Sequence, residues 1–203
     1  LTDLGRDQAR ATGEILAQIS QPSRIVASSF LRARHTAELI AQQVGFAGPV
    51  DVEPELRERG IGELAGQPYS SVRDHPGFDS GRFWEWRPAG GESLEDVQRR
   101  AAPVVDRLMR EHPGDDVVVV SHGGVMLALC AHIEKGWTRG RVAQNCEIVI
   151  VEHDLGGGIR IAPLPESAKT ISIPGAGTSV SASTGQVEES SGGADRDPLA
   201  DAI

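Results

Sequence analysis

Between residues 1 and 162 the apolar positions alternate between two periods, and each change of period marks a change of element. Thr2 is placed to cap a helix in which Leu4, Ala11, Ile15 and Ile19 fall near helical spacing, and Ser20-Gln21-Pro22-Ser23 stops it. Arg24-Ile25-Val26-Ala27-Ser28 reads as a strand. Ala33, Ala37, Ile40, Ala41 and Val44 then mark a second helix, ended by Gly45. Ser93-Leu94-Glu95-Asp96 is a capping box, and it opens a third helix through Val97, Ala101, Val104, Val105 and Leu108 that Pro103 is expected to kink. Val117-Val118-Val119-Val120 has no polar alternation, as in a strand covered on both faces, and Val125 to Ala131 has the low polarity of a core helix. Glu147 to Val151 and Ile159 to Ile161, around Gly156-Gly157-Gly158, read as a closing hairpin.

Strands that feed helices in this way predict an α/β fold, a three-layer sandwich whose mostly parallel sheet is flanked by helices. Residues 46–66 read as a glycine-rich, acidic connection, and 67–92 as a longer irregular segment holding Tyr69, Phe78, Phe83, Trp84 and Trp86. That aromatic segment is either a lid over a ligand or a small satellite core, with the lid expected because long loops at the ligand-binding end of a sheet are often functional. One domain is predicted over residues 1–165. From 166 to 203 the chain is rich in Ser, Gly, Thr, Ala and acids with few large apolar residues, which predicts a disordered tail.

Ligands of parallel sheets bind beyond the carboxyl ends of the strands, so the two strand-to-helix junctions are where chemistry is expected. The first is Ser121-His122-Gly123-Gly124, where a histidine meets a helix start that favours an anion. The bland alternative is an ordinary turn with a solvated histidine. The second junction runs from Ser28 to Ala37, and Arg32 stands just past the strand end, where a guanidinium can hold a phosphate through paired hydrogen bonds. Leu56 to Gly66 adds Glu58 in a glycine-rich loop between Arg57 and Arg59, which serve an anion or stay solvated.

Charge narrows the partners. A formal net charge of -9 over 203 residues excludes a general nucleic-acid or membrane-surface binder, and an anionic substrate needs a local arginine cluster. No apolar run approaches the roughly 18 residues that span a bilayer, and no signal-peptide pattern opens the chain. Cys130 and Cys146 lie in apolar segments without C-x-x-C spacing, which predicts two reduced thiols and a cytoplasmic location. No metal-ligand spacing occurs, so neither a metal nor another cofactor is expected.

In this order the motifs resemble the histidine phosphatase superfamily, which includes the phosphoglycerate mutases. Leu1 to Ala9 is similar to the family's opening helix. Ser28 to Ala37 is similar to its S-x-L-x-R-A-x-Q-T-A box, with Phe30 and His35 as departures. Glu58 to Gly66 is similar to an E-x-x-x-G-x-W-x-G loop with Leu64 in the tryptophan's place, and Gly90-Gly91-Glu92-Ser93 and Ser121-His122-Gly123 complete the set.

The resemblance implies a phosphoglycerate mutase-like fold and a small phosphorylated substrate. It implies Arg32 as a phosphate clamp, His122 as a donor to the phosphoryl group and Glu58 as the acid and base, with Ser28 and Gly123 on the substrate side. The family's phosphate-accepting histidine lies in an Arg-His-Gly motif upstream of the segment that matches Leu1, and no Arg-His-Gly occurs in these 203 residues. The chain is therefore expected to lack its beginning. His35 falls on the glutamine position of the arginine box rather than on the nucleophile's; His75, His112, His132 and His153 read as scattered loop or helix-face histidines.

Three functions follow from this reading: a phosphomonoester hydrolase, a cofactor-dependent phosphoglycerate mutase, and a non-catalytic phospho-ligand binder. The 64 positions from Glu58 to His122 are fewer than the mutases carry, which favours hydrolysis. The family's first strand belongs beside Val117 to Val120, so the chain alone is expected to expose an apolar edge; oligomeric state, a homo-oligomer included, stays open.

Overall fold

The computed structural model of the chain describes residues 1–68, 70–137, 143–153, 158–166, 168 and 173–175. In chain order the elements are α1 (Asp3–Ile19), β1 (Arg24–Ser28), α2 (Leu31–Gln43), β2 (Val50–Glu53), α3 (Ser70–Arg73), α4 (Leu94–Glu111), β3 (Val117–Val120), α5 (Gly123–Glu134), β4 (Ile150–His153) and β5 (Ile159–Ala162). The ends of the long helices follow from their capping chemistry. Thr2 Oγ1 accepts the Gly5 N–H at 3.1 Å. At the start of α4, Ser93 Oγ accepts the Asp96 N–H while the Asp96 carboxylate accepts the Ser93 N–H, at 3.1 and 2.8 Å. A cap of this kind is worth about 1 kcal/mol.

The main sheet is parallel, in the order β2-β1-β3. Its register pairs Ile25 with Val50 and Val118, and Ala27 with Val52 and Val120. Because side chains alternate across a strand, one face of the sheet is Ile25, Ala27, Val118 and Val120, packed under Ala33, Ala37, Ile40 and Ala41 of α2. Val26, Val117 and Val119 point the other way, against Val97, Ala101, Val104 and Leu108 of α4 and Val125 and Ala128 of α5. This is the predicted three-layer α/β arrangement. The first helix, α1, lies on α2, and the contact is close because Gly13 has no side chain: a Cβ there would stand 2.6 Å from Gln43 Cβ.

Three features differ from the reading of the sequence. The connection at 46–66 contains β2, whose Val-Asp-Val-Glu sequence gives too short and too polar a run to register as a strand. The hairpin is present and antiparallel, but β4 begins at Ile150 rather than at residue 147. The aromatic segment builds a satellite core rather than a free lid. Phe83 is buried with Leu94 and Leu127, and the rings of Trp84 and Trp137 stack 6.1 Å apart at 4° beside it.

The packed body also reaches beyond the boundary expected at residue 165. Ala168 is 1% exposed and packs with Ile15 and Leu164, Ile173 joins the same cluster, and Gln8 Nε2 donates to the Pro174 carbonyl at 2.8 Å. The apolar face of α1 supplies the surface these residues need, which composition alone does not reveal. The remainder of the expected tail, 176–203, lies outside the described residues. Among the described residues no helix is long and apolar enough to cross a membrane.

Within the main sheet β3 is an edge strand, and its valines are packed on both faces. An apolar edge of this kind pairs with further strands. Residues 1–203 expressed alone are accordingly expected to associate through β3, giving a mass above the monomer's by light scattering; a monodisperse monomer would contradict this.

Candidate active site

The parallel register of β1 and β3 sets Ala27 beside Val120, so the residues that follow each strand emerge side by side. Ser28 ends β1 and is fully buried. His122, two residues past β3, is extended, with φ -134° and ψ 162°, and immediately precedes α5. Its ring Nε2 lies 2.7 Å from Ser28 Oγ. The same hydroxyl oxygen accepts the Phe30 N–H at 3.3 Å, so the serine links the two junctions. Phe30 in turn presents its ring edge-on to His122, with centroids 5.2 Å apart.

His122 is 7% exposed. Burial, with the positive charges of Arg32 and Arg100 adding to it, lowers its pKa from 6.5 to about 4. The imidazole is therefore neutral at pH 7, with a single N–H to give. A solvated turn histidine does not fit this environment.

Arg32 occupies the first turn of α2 and is exposed, with its guanidinium carbon 4.9 Å over the Phe30 ring. Among the described residues its side chain makes no ion pair, whereas Arg57 and Arg59 are both engaged. Arg57 meets Glu55 and Glu92, and Arg59 donates to the carbonyls of Glu92 and Trp86. Of the three arginines singled out by sequence around the site, Arg32 is the one whose donors are left for a ligand. The other two serve the architecture of the loop.

Glu58 reaches the same place from the opposite side. Its Oε1 accepts the N–H of Arg59 at 2.8 Å, and the carboxyl lies against Gly124 in the first turn of α5, whose backbone N–H favours its ionised form. Burial raises the Glu58 pKa, and this outweighs the opposing pull of those two N–H groups and of the Arg32 and Arg100 charges. Gly124 is needed for the approach: a Cβ there would lie 2.7 Å from Glu58 Oε1. Gly123, one residue earlier, opens the helix whose N-terminus faces this group.

The structure thus converges Ser28, Arg32, Glu58, His122 and Gly123 at the carboxyl end of the sheet. His35 sits apart, in a shallow hollow with Leu1, Arg6, Glu38, Leu39 and Gln42. Two participants escaped the sequence reading. Arg100 lies eight positions beyond Glu92 and meets it across the start of α4, a spacing with no local signature. The Phe30 ring contact with Arg32 and His122 depends on tertiary placement. A free guanidinium, a neutral imidazole, a helix N-terminus and a carboxyl with raised proton affinity make a site able to bind a phosphoryl-type anion and to deliver a proton beside it.

Fold and site together define a parallel α/β protein with a candidate active site at the strand ends. The chain belongs to the histidine phosphatase superfamily (branch 1), whose family model matches residues 1–161. It is 38% identical over 142 residues to the glucosyl-3-phosphoglycerate phosphatase of Mycolicibacterium vanbaalenii, covering 64% of this chain and 61% of that protein. It is 36% identical over 134 residues to phosphoglycerate mutase-like protein 4 of Arabidopsis thaliana, covering 64% of this chain and 58% of that protein. The chain thus spans about three-fifths of the length of these curated relatives. Among solved structures, the native mycobacterial glucosyl-3-phosphoglycerate phosphatase superposes with a TM-score of 0.70 at 31% identity, over 80% of this chain and 86% of that one.

Two outcomes test the electrostatics. His122 takes up a proton more readily unfolded than folded, so its contribution to stability is complete above pH 6.5 and is lost as pH falls through about 4. Relative to His122→Asn, the native protein should lose on the order of 3 kcal/mol across that window in chemical denaturation; parallel curves for the two proteins would refute the buried neutral imidazole. Gly124→Ala should displace the Glu58 carboxyl toward water and bring its pKa down toward the ordinary carboxylate value, read by carbon-13 carboxyl NMR. An unmoved titration would mean that the α5 N-terminus does not hold it.

Proposed function

We propose that the protein hydrolyses phosphomonoesters by way of a phosphohistidine, the accepting histidine lying outside these 203 residues. The observation that carries this reading is the juxtaposition of Arg32, free of ion pairs among the described residues, with the neutral His122 and the buried Glu58 carboxyl. Arg32 binds two non-bridging oxygens of the phosphoryl group through its paired N–H donors. His122 donates a hydrogen bond to a third, and so stabilises the charge that builds up in the transition state. Ser28 holds the imidazole in place, and the N-terminus of α5 at Gly123 contributes positive potential.

In the first step the accepting histidine attacks phosphorus, the bond from phosphorus to the ester oxygen breaks, and the leaving oxygen takes the Glu58 proton. In the second step the Glu58 carboxylate takes a proton from water as that water attacks phosphorus. The phosphorus–nitrogen bond breaks, inorganic phosphate leaves, and Glu58 is again protonated. The direction of the Glu58 shift supports this role, because burial eases protonation of a carboxyl that must give up a proton and take one back.

Hydrolysis is favoured over transfer to a second hydroxyl by what lies between Glu58 and His122. That stretch is taken up by the satellite core around Phe83 and by α4, which leaves little chain for a substrate-covering basic loop. Names among the relatives include both phosphatase and mutase-like proteins. The thiols of Cys130 and Cys146 support a reducing compartment such as the cytoplasm.

The test is phosphate release by the protein purified from its native source, with p-nitrophenyl phosphate and phosphoglycerates as substrates, alongside trapping of an acid-labile phosphoenzyme. Arg32→Ala and Glu58→Gln should each lower kcat/KM by about 100-fold or more. Transfer of the trapped phosphate to a phosphoglycerate hydroxyl rather than to water would make it a mutase. Phosphate binding without a phosphoenzyme would leave a phospho-ligand binder.

A further inference from the structure

Glu58 sits in a segment, residues 57–61, that belongs to no helix or strand, so no ladder of backbone hydrogen bonds fixes it. A main-chain bond from the Glu92 N–H to the Gly60 carbonyl at 2.7 Å tethers one end of it, and a side chain from α4 grips the rest. The Arg100 side chain is only 9% exposed. Its Nε and Nη2 meet the two carboxylate oxygens of Glu92 at 2.8 and 3.0 Å, a fork against a fork. Its other contacts go to loop carbonyls, with Nη1 donating to Glu55 O and Nη2 to Glu58 O at 3.3 Å.

Glu92 completes the frame by accepting the Gly60 N–H at 2.9 Å and Arg57 Nη2 at 3.0 Å. Burial acts to raise the Glu92 pKa, but the Arg100 hydrogen bond, the Gly60 N–H and the charges of Arg100 and Arg57 hold it below the ordinary carboxylate value. On the far side Ser121, next to His122, donates its hydroxyl to Leu56 O at 2.8 Å. The backbone on both sides of Glu58 is thus gripped from outside the loop, and two of those grips are one guanidinium.

We infer that Arg100, braced by Glu92, is a positioning residue for Glu58: it fixes the loop backbone so that the carboxyl meets the N-terminus of α5 opposite His122. It acts through Glu58 and does not touch the reacting atoms. The inference rests on the reading of Glu58 as the proton carrier, but its geometry is separately measurable. Arg100 also supplies a charge felt by both titrating groups, since it lowers the pKa of Glu58 and of His122. Orientation and charge are separable by substitution, because a lysine keeps the charge without the planar fork.

The experiment is an NMR titration of the purified protein, following the Glu58 carboxyl carbon, the His122 ring and the Gly124 amide nitrogen. In the native protein the Gly124 amide should shift as Glu58 titrates, since the Glu58 carboxyl lies against Gly124. In Arg100→Lys that excursion should shrink by about twofold or more, because an ammonium cannot span Glu92 and both carbonyls. In Arg100→Gln the charge is lost as well, and both Glu58 and His122 should titrate at higher pH than in Arg100→Lys. Glu92→Gln loosens the brace while leaving Arg100 charged; it should behave as Arg100→Lys does, and it stands in if an Arg100 variant does not fold.

Native excursions and native titrations in Arg100→Lys and Glu92→Gln would overturn the inference. If instead Glu58→Gln keeps full hydrolysis while these NMR changes appear, the positioning stands and the role given to Glu58 falls.

Discussion

Everything at the site depends on β1 and β3 being parallel neighbours in a fixed register. With Ala27 opposite Val120, the next residues on each strand leave the sheet at the same height, and Ser28 and His122 meet at 2.7 Å. A shift of one residue would turn every valine of β3 to the wrong face, exchanging the α2 contact for the α4 and α5 contact. The packing of both faces therefore guards the register, and the register places the chemistry. The two-sided apolar valines that make the strand legible in sequence are the same residues that hold the histidine in position.

The second level of organisation is polar and less local. The loop that carries Glu58 has no regular structure, yet its carbonyls and N–H groups are held by Arg100, Glu92 and Ser121. The guanidinium of Arg59 lies near the Trp86 ring, 5.4 Å from its centroid, and donates to the Trp86 carbonyl, which ties the loop to the aromatic segment. The aromatic segment in turn is anchored on Leu94 at the start of α4 and Leu127 in α5. A long, irregular stretch of chain thereby becomes part of the wall of the site, and the polar knot at Glu92 is what joins wall and loop.

The hydrophobic rhythm and the caps made the long helices and the strands β1 and β3 of the main sheet readable, because each of those signals is local: Thr2 with Gly5, Ser93 with Asp96, four successive valines. The candidate residues Arg32, Glu58 and His122 were singled out through motif resemblance and through their places after strands or in a glycine-rich loop, and the fold brings them to one end of the sheet. What stayed hidden depends on partners far away in the chain. The strand β2 exists because β1 supplies its hydrogen-bonding partner. Ala168 and Ile173 are packed because Ile15 presents an apolar face, and Arg100 matters because Glu55, Glu58 and Glu92 converge on it. Local composition carries none of these facts.

The electrostatics complete the argument. Burial makes the Glu58 carboxyl easier to protonate than an ordinary carboxyl and keeps the His122 imidazole neutral at pH 7, beside two arginines. Two arginines beside a neutral imidazole concentrate positive potential within a chain whose net charge is -9, most of all where Arg32 has no ion-pair partner among the described residues. A dianionic phosphoryl group would neutralise that potential without competing against a resident carboxylate on Arg32. The same desolvation thus acts on both groups, easing protonation of Glu58 and keeping His122 uncharged, so one physical cause sets the charge state of the pocket from both sides.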